Sequence, residues 1–270
     1  MVAPRDLSGE ARSRGRSGVP FGPVARLRIA IALVLLLAWE ALAASGAFRR
    51  DGVDIVPTLD QIARALVRLL GDPELYTNLA VSSGEIAASL AIGGTAGVAV
   101  GLALGSRRLL GRAFEPFLHY LGPTPKIVFF PVFLMWFGVG PGSKVAMGAV
   151  SCFFPLALSV AVGARQIDAV LLRVGRSFRA STVQTVAHIY LPALRGALLG
   201  GLRLGLGVAV IGVLLAETKL SNRGLGYLVM QLYSNYDLAG LYALLAVIIA
   251  LAILANGLLG RLERSGRSSP

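Results

Sequence analysis

Four ionisable residues interrupt long apolar stretches of this 270-residue chain, and they are the first candidates for chemistry. They are Glu40, Lys126, Arg203 and Glu217. A charge at membrane depth is costly unless it reaches an interface, pairs with another group or faces water. Glu40 and Glu217 lie near the ends of apolar stretches and are predicted to reach an interface. Lys126 and Arg203 lie deeper, and either is a candidate for lining the path of an anionic solute.

The sequence does not contain the residue patterns that metal binding, nucleotide binding or proton coupling would require. His119 and His188 have no companions at metal-ligand spacing, so no metal site is predicted. The segment from Gly140 to Lys144 has neither the spacing of a nucleotide-binding P-loop nor the Ser or Thr after its lysine. No chain of Asp, Glu and His runs through the apolar stretches to couple transport to protons or ions. We expect a non-catalytic chain that binds no cofactor of its own and lacks its own energy source.

The composition of the chain predicts that these residues lie in membrane-spanning helices. The chain is 55% hydrophobic and 15% charged, with a mean hydropathy of +0.71, which is too apolar for a soluble protein of this length. A membrane span needs about 20 mostly apolar residues. No stretch alternates in the manner of a barrel strand. We therefore predict an all-α polytopic membrane protein with six spans, near residues 29–47, 85–105, 119–138, 144–163, 194–216 and 239–260.

The net charge of +12 is explained by its placement. Most Lys and Arg residues lie before the first span, after the second, between the fourth and fifth, and after the sixth. This is the positive-inside pattern, which predicts that both termini are cytoplasmic. The basic charge then orients the protein in the lipid bilayer and does not indicate nucleic acid binding.

The segments outside the spans are short. Residues 1–25 are predicted to be a disordered basic cytoplasmic tail, residues 26–264 a single transmembrane domain, and residues 265–270 a second cytoplasmic tail. Ala41-Leu42-Ala43 resembles a signal-peptide cleavage site, but the apolar run continues to Ala47, which favours an uncleaved anchor. The single cysteine, Cys152, excludes an intrachain disulfide.

The spacing of glycines and prolines predicts where the spans pack closely and where one of them is broken. Ser89, Gly93, Gly97, Gly101 and Gly105 recur every four residues and form one small-residue face, which lets helices approach closely. The pairs Gly196/Gly200 and Gly201/Gly205 predict similar close packing of the fifth span. Prolines 123, 125 and 131 are predicted to kink or break the third span, which is tolerated beside protein or a water-filled pathway.

One external loop carries an amphipathic pattern. Thr58 and Gln61 after Pro57 form a capping-box pattern, and Leu59, Ile62, Leu66 and Leu69 form an apolar stripe. The helix they predict suits the outer membrane interface or a lip on which an external partner sits.

The segment Asp168–Pro192, here called the island, is a basic amphipathic stretch between two apolar segments. Val170, Val174 and Phe178 form a first apolar stripe, and a capping-box pattern from Ser181 to Gln184 starts a second helix. The second stripe comprises Val183, Val186, Ala187 and Tyr190. Two short amphipathic helices suit docking onto another protein, or a loop resting on lipid headgroups.

The island resembles the "EAA" loop of permease subunits of bacterial ATP-binding-cassette (ABC) importers. That loop reads roughly Glu-x-Ala-x-x-x-Gly-Ala-Ser, with Leu-Pro after about nine more residues. Here Ala180-Ser181 and Leu191-Pro192 match. The loop departs from the family pattern at three positions, where Arg173 replaces Glu, Gly175 replaces Ala and Arg179 replaces Gly.

Two further segments are similar to the nitrate, sulfonate and taurine branch of these permeases. They are PTPKIVFFPVFLMWFGVGPGSKV (Pro123–Val145) and GLRLGLGVAVIGVLLAE (Gly201–Glu217), the latter followed by Gly224-Leu225-Gly226-Tyr227. The similarity extends roughly from Ile55 to Arg261. It implies a type I ABC importer permease fold in the bacterial cytoplasmic membrane and a small, anionic or organic solute.

The resemblance also implies partners: a second permease copy, an extracytoplasmic solute-binding protein, and two cytosolic ATPase subunits that bind ATP and Mg²⁺. It places the coupling loop at about residues 165–193. The implied contact residues are Arg173, Val174, Gly175, Phe178, Arg179, Ala180, Ser181, Val183, Val186, Leu191 and Pro192. The alternatives from the residues alone are a stand-alone secondary transporter or channel, and a membrane scaffold.

Overall fold

The computed structural model describes residues 23–50 and 53–267. The predicted disordered tail over residues 1–25 falls almost entirely outside the described residues, as do residues 268–270 of the predicted C-terminal tail. The chain divides into two units, residues 1–58 and residues 59–270.

In the first unit, α1 (Pro23–Ala44) is one continuous helix, long and apolar enough to cross a membrane. A short antiparallel pair follows, β1 (Arg49–Arg50) with β2 (Val53–Asp54). The Trp39 indole N–H donates to the Pro57 carbonyl oxygen at 3.1 Å. This bond ties the end of the unit to α1.

All regular secondary structure in the described residues of the second unit is helical. Along the chain its helices are α2 (Leu59–Leu70), α3 (Pro73–Ser106), α4 (Arg108–Leu121), α5 (Phe130–Phe137), α6 (Pro141–Arg165), α7 (Ala169–Ser177), α8 (Thr182–Thr185), α9 (Leu191–Ala193), α10 (Arg195–Lys219), α11 (Leu225–Ser234) and α12 (Leu238–Arg267). A 3₁₀ turn over Lys126–Phe129 precedes α5, and a π turn over Val186–Tyr190 joins α8 to α9.

Among the described residues, five helices are long and apolar enough to cross a membrane: α1, α3, α6, α10 and α12. Counting α4 and α5 as one broken span gives six, which confirms the predicted all-α membrane fold. Three predicted span starts were wrong. The first helix begins at Pro23 rather than near residue 29, the second span at Pro73 rather than near residue 85, and the third at Arg108 rather than near residue 119.

The third span is broken at its prolines, where α4 and α5 meet at 93°. Pro123 and Pro125 stand in the break and cannot donate the backbone hydrogen bonds that would continue α4. Pro131 lies in the first turn of α5, where its missing N–H costs nothing. The predicted break is confirmed, and it places Lys126 outside regular α-helix.

The core of the second unit is the packing of α6 against α3 and α10. The small residues of Ser89–Gly105 on α3 lie on α6, as predicted. A Cβ added at Gly93 would stand 2.1 Å from the Ala149 carbonyl oxygen, and one at Gly101 would stand 2.5 Å from that of Ala157. No residue larger than glycine fits these two positions without moving α6.

On α10 only one of the two predicted glycine pairs packs closely. Added Cβ atoms at Gly201 and Gly205 would contact α6, whereas Gly196 and Gly200 have nothing within 4 Å. The two pairs are five residues apart, which turns them onto different sides of a helix with 3.6 residues per turn. The prediction of close packing was therefore wrong for Gly196 and Gly200 within this chain.

The amphipathic helix predicted after Pro57 is confirmed as α2. Ala65 is buried and Leu69 packs against a cluster that includes Leu75, while Val67 on the opposite face is 72% exposed. The stripe contacts α12, and Leu69 at its end meets the start of α3, whereas Leu59 at its beginning is 37% exposed.

Candidate functional site

The island folds as the two short helices predicted from its pattern. The Asp168 side chain caps α7 by accepting the Val170 N–H at 2.8 Å. The predicted capping box at α8 is present: Ser181 Oγ accepts the Gln184 N–H at 3.2 Å, and Gln184 Oε1 accepts the Ser181 N–H at 2.8 Å. Both helix starts are therefore fixed by local hydrogen bonds.

The structure shows the surroundings of two positions that depart from the family pattern, Arg179 and Gly175. Arg179 has a φ of 51°, in the left-handed region where the family has glycine. A non-glycine residue costs about 1–2 kcal/mol in this conformation. Gly175 is buried, and an added Cβ would stand 2.7 Å from Ile189 Cδ1, so this position accepts only a small residue.

The apolar side chains of the island divide into two groups. Phe178 is 82% exposed and Val183 77% exposed, and Val174 is also exposed. Val186 is instead half-buried and faces a cleft of about 570 Å³ between the island and the end of α3. The structure thus brings Val174, Phe178 and Val183 to the surface and places Val186 on the inner side.

The end of the island is anchored on the transmembrane helices. Tyr190 and Leu194 are buried with Val160 and Ala164 of α6. Leu191, which is exposed, begins α9 directly after the π turn, and Pro192, which lacks a backbone N–H, lies in its first turn. The island therefore has a fixed inner side and an open outer side.

At the opposite ends of α6 and α10 lies a polar cluster that the sequence did not predict. Glu217 was expected to reach an interface, but it is 1% exposed, and that expectation was wrong. Its Oε1 accepts the Ser82 hydroxyl at 2.6 Å, and its Oε2 accepts the Gly226 N–H at 2.6 Å. The carboxyl group joins α3 and α10 to the first turn of α11.

Two more bonds from α3 reach the same turn. Asn78 Oδ1 accepts the Gly224 N–H at 2.7 Å, and Ser82 Oγ accepts the Leu225 N–H at 2.7 Å. We call the side chains of Asn78, Ser82 and Glu217, with the backbone of 224–226, the clasp. Gly224 has a φ of +107°, and a Cβ there would stand 2.4 Å from Glu217 Cδ, so the turn requires glycine.

Two charged residues border the clasp. Glu85 is 6% exposed and Lys144 is 1% exposed. Lys144 Nζ donates to the carbonyl oxygens of Val139 and Gly140, the second at 3.2 Å. Glu85 Oε2 is buried and has no hydrogen-bond partner among the described residues.

A signal for this cluster was present in the sequence. Asn78, Ser82, Glu85 and Ser89 recur at helical spacing and continue the glycine face of α3. Polar residues on the close-packing face of a span must find partners inside the protein. The glycines 224 and 226, shortly after Glu217, mark the backbone that supplies part of them.

The structure does not bring the two predicted pathway residues together. Lys126 donates to the carbonyl oxygens of Gly122 and Thr124, and its Nζ lies 5.0 Å from the centre of the Phe154 ring. Arg203 Nε donates to Asn256 Oδ1 of α12 at 2.6 Å. Arg203 is exposed, and no carboxylate of the described residues pairs with it.

The two histidines have local partners. His119 lies 3.7 Å from Glu115, which also pairs with Arg165, and His188 Nδ1 lies 3.0 Å from the Gln184 carbonyl oxygen. No cluster of three potential metal-ligating His, Cys, Asp or Glu side chains occurs within residues 23–50 and 53–267.

Residues 93–268 match the family model of the binding-protein-dependent transport system inner membrane component, and the chain belongs to this family. It is a permease of the ABC importer class. The structure resembles that of the MetNI methionine ABC transporter in inward-facing conformations, with a TM-score of 0.58 and 19% identity, covering 76% of this chain and 97% of the other. It therefore has the type I ABC importer permease fold.

Two curated relatives are more similar in sequence. The taurine transport system permease protein TauC of Escherichia coli (strain K12) is 29% identical over 254 residues, which cover 91% of this chain and 90% of TauC. The putative aliphatic sulfonates transport permease protein SsuC of Bacillus subtilis (strain 168) is 27% identical over 231 residues, covering 86% and 83%. The predicted sulfonate and taurine branch is confirmed as the branch that this chain resembles.

Proposed function

We propose that this chain forms the membrane pathway of an ATP-driven importer and is coupled to a cytosolic ATPase through the island. The observation that carries the proposal is the exposure of Phe178 and Val183 on two capped helices whose inner side is anchored. Large apolar side chains on a helix surface bind by insertion into a partner groove. A few such anchors supply most of the binding energy of an interface.

The energy source follows from this assignment. We expect ATP and Mg²⁺ to be bound and hydrolysed by the ATPase subunits, with this chain acting as the non-catalytic partner. Its part is to alternate the pathway between the two membrane faces. Membership in the importer family supports this assignment over a stand-alone secondary transporter or channel.

The proposed assembly contains two copies of this chain in the bacterial cytoplasmic membrane, with both termini and the island in the cytoplasm. Two ATPase subunits need two docking loops, and one island per chain supplies one of them. A solute-binding protein would deliver solute to the opposite face. Native mass spectrometry of the purified complex should show two copies of this chain, and a different permease in the second place would contradict the homodimer.

We further propose that the solute is a small anion of the sulfonate or taurine type. The named solutes of the two relatives and a cation within the fifth span support this class. Arg203 is the stronger pathway candidate, because its guanidinium is exposed while the Lys126 ammonium is taken up by two carbonyl oxygens. Arg203→Ala should lower uptake of labelled taurine or an alkanesulfonate, whereas Arg195→Ala, at the end of the same helix, should not.

The test of coupling is to place a charge in the proposed interface. Phe178→Asp should abolish co-purification of the ATPase subunit from native membranes. Val67→Asp, on the exposed face of α2 at the other end of the bundle, is the matched control and should retain it. If Phe178→Asp co-purifies with the ATPase at wild-type stoichiometry, the island is not the coupling element.

A further inference from the structure

Arg203 differs from two other cations of the transmembrane helices in the kind of partner that holds it. Arg165 at the end of α6 pairs with the Glu115 carboxylate, and the Lys144 ammonium donates to backbone carbonyl oxygens. Arg203 on α10 has a neutral side chain as its partner, because its Nε donates to Asn256 Oδ1 of α12 at 2.6 Å. An amide oxygen fixes the guanidinium in place without cancelling its charge.

The bond between Arg203 and Asn256 leaves only hydrogen-bond donors at their outer edge. Because Nε is used, the two Nη groups of Arg203 remain, and this edge of the planar guanidinium can bind two oxygens of one anion. Asn256 Oδ1 is also used, so its amide offers the Nδ2 donors. No other hydrogen bond of these groups occurs among the described residues. Such a set of donors suits an oxyanion.

Glycines leave open space beside these donors. Gly200 and Gly207 lie three residues before and four residues after Arg203, on the same side of α10, and a Cβ at either position would meet nothing within 4 Å. On α12, a Cβ at Gly260 would stand 3.9 Å from Arg203 Nη1. We call the space beside Arg203 that is bordered by Gly200, Gly207 and Gly260 the clearing. The side chains that would fill it are absent from both helices.

The depth of Arg203 in its helix makes the open charge significant. Arg203 lies eight residues after Arg195, the first residue of α10, which is about 12 Å along the helix axis. An arginine inside a span that pairs with no carboxylate is costly unless it faces water or an anion. A partner that holds the guanidinium and leaves its charge uncancelled is therefore more consistent with binding than with helix packing alone.

We propose that Arg203 and Asn256 form an oxyanion-binding site in the clearing, with Asn256 as the positioning residue that orients the guanidinium toward a sulfonate or a related anionic group. The identification of this anion as the transported solute rests on the proposed function, whereas the site itself does not. A lipid phosphate presents similar oxygens, so the two sources of the anion need separate tests.

Thiol labelling tests the site without depending on transport. In a Cys152→Ala background, Gly207→Cys places a thiol in the clearing, and Ile211→Cys places one a turn further along α10. The complex is held in phosphatidylcholine nanodiscs and treated with anionic 2-sulfonatoethyl methanethiosulfonate or its cationic trimethylammonium analogue. The ratio of anionic to cationic labelling rates should be roughly tenfold higher at position 207 than at position 211. Asn256→Asp, which sets a carboxylate against the guanidinium, should abolish this preference.

The labelling results separate the two sources of the anion. Protection of the thiol at position 207 by ethanesulfonate supports a soluble sulfonate as the ligand. Protection only when phosphatidylglycerol is added to the nanodiscs would identify a lipid headgroup and contradict the assignment to the solute. A thiol at position 207 without anionic preference would overturn the site. A thiol that reacts with neither reagent would also overturn it, because the clearing would then lie against lipid or a second copy.

The Asn256→Asp variant also distinguishes positioning from a structural role. An ion pair in place of the neutral bond should leave the thermal stability of the permease unchanged or higher. Taurine uptake by the full complex, at saturating taurine and binding protein, should nevertheless fall roughly tenfold, because the charge on Arg203 is cancelled. Wild-type anionic preference at position 207 in Asn256→Asp would overturn the positioning role. An intact site with unchanged uptake in both Asn256→Asp and Arg203→Ala would retain the anion site and contradict the proposed pathway.

Discussion

The island and the clasp lie at opposite ends of α6 and α10 and differ in what they leave exposed. The island leaves Phe178 and Val183 exposed, with helices held by their own capping residues. The clasp buries Glu217 and Ser82, and donors and acceptors from three helices satisfy one another. The first is built to bind something outside this chain, and the second is built to hold this chain together.

The difference appears most clearly at two turns with positive φ. Gly224 in the clasp stands against the Glu217 carboxyl group and has no room for a Cβ. Arg179 in the island has the same kind of backbone conformation, yet it carries a long, exposed side chain. A buried turn is limited by space as well as by conformation, whereas an exposed turn is limited by conformation alone.

The largest expected effect is at the island surface. Phe178→Ala should weaken binding of the ATPase subunit by about 2–4 kcal/mol, as for other buried aromatic anchors of interfaces. The dissociation constant, measured with purified permease in lipid nanodiscs, checks this value. Because Phe178 is 82% exposed in this chain, the stability of the permease alone should not change. An equal loss of stability would mean that Phe178 packs within the chain.

The clasp should respond in the reverse way. Gly224→Ala should lower the free energy of unfolding of the permease by about 1–3 kcal/mol, because of backbone strain. The clash with Glu217 adds to this cost. Thermal unfolding of the purified protein measures the loss, with Gly207→Ala as control, since nothing lies within 4 Å of a Cβ at that helical position. Equal melting temperatures for the two variants would show that the clasp does not contribute to the stability of the permease.

A smaller effect is expected at the capping box. Ser181→Ala should cost about 1 kcal/mol of α8 stability, because the Gln184 N–H loses its acceptor. Ser177→Ala is the control, since its hydroxyl only returns to the Arg173 carbonyl oxygen within α7. Hydrogen exchange of the α8 amides, followed by mass spectrometry, should accelerate in the first variant only. Unchanged exchange in both variants would show that other contacts hold α8.

The smallest effect has the opposite sign. Arg179→Gly should stabilise the turn by about 1 kcal/mol or less, because relief of the left-handed strain is partly offset by the larger conformational entropy that glycine loses on folding. Arg176→Gly, inside α7, should instead destabilise the helix by about 1 kcal/mol. If Arg179→Gly also destabilises the island, the arginine side chain contributes more than its backbone strain costs.

Patterns that depend on local periodicity were predictable from the sequence. The spans, the glycine face of α3, the helix α2 and the two capped helices of the island all follow from the spacing of residues along one element. The clasp was missed because its partners are far apart in the chain: the Asn78–Gly224 and Ser82–Glu217 bonds join residues separated by 146 and 135 positions. A position near a span end is compatible with both an exposed and a buried Glu217, and only the arrangement of α3, α10 and α11 decides between them.

Crosslinking from position 178 tests the central claim most directly. Cys152 is buried and is the only cysteine of the chain, so a Phe178→Cys variant in a Cys152→Ala background can carry a photoreactive maleimide at one site. A Val67→Cys variant provides the same label at the other end of the bundle. In native membranes, illumination should join the label at 178, and not the label at 67, to the ATPase subunit. A label at 178 that reacts only with lipid would contradict the account and assign the island to the membrane surface.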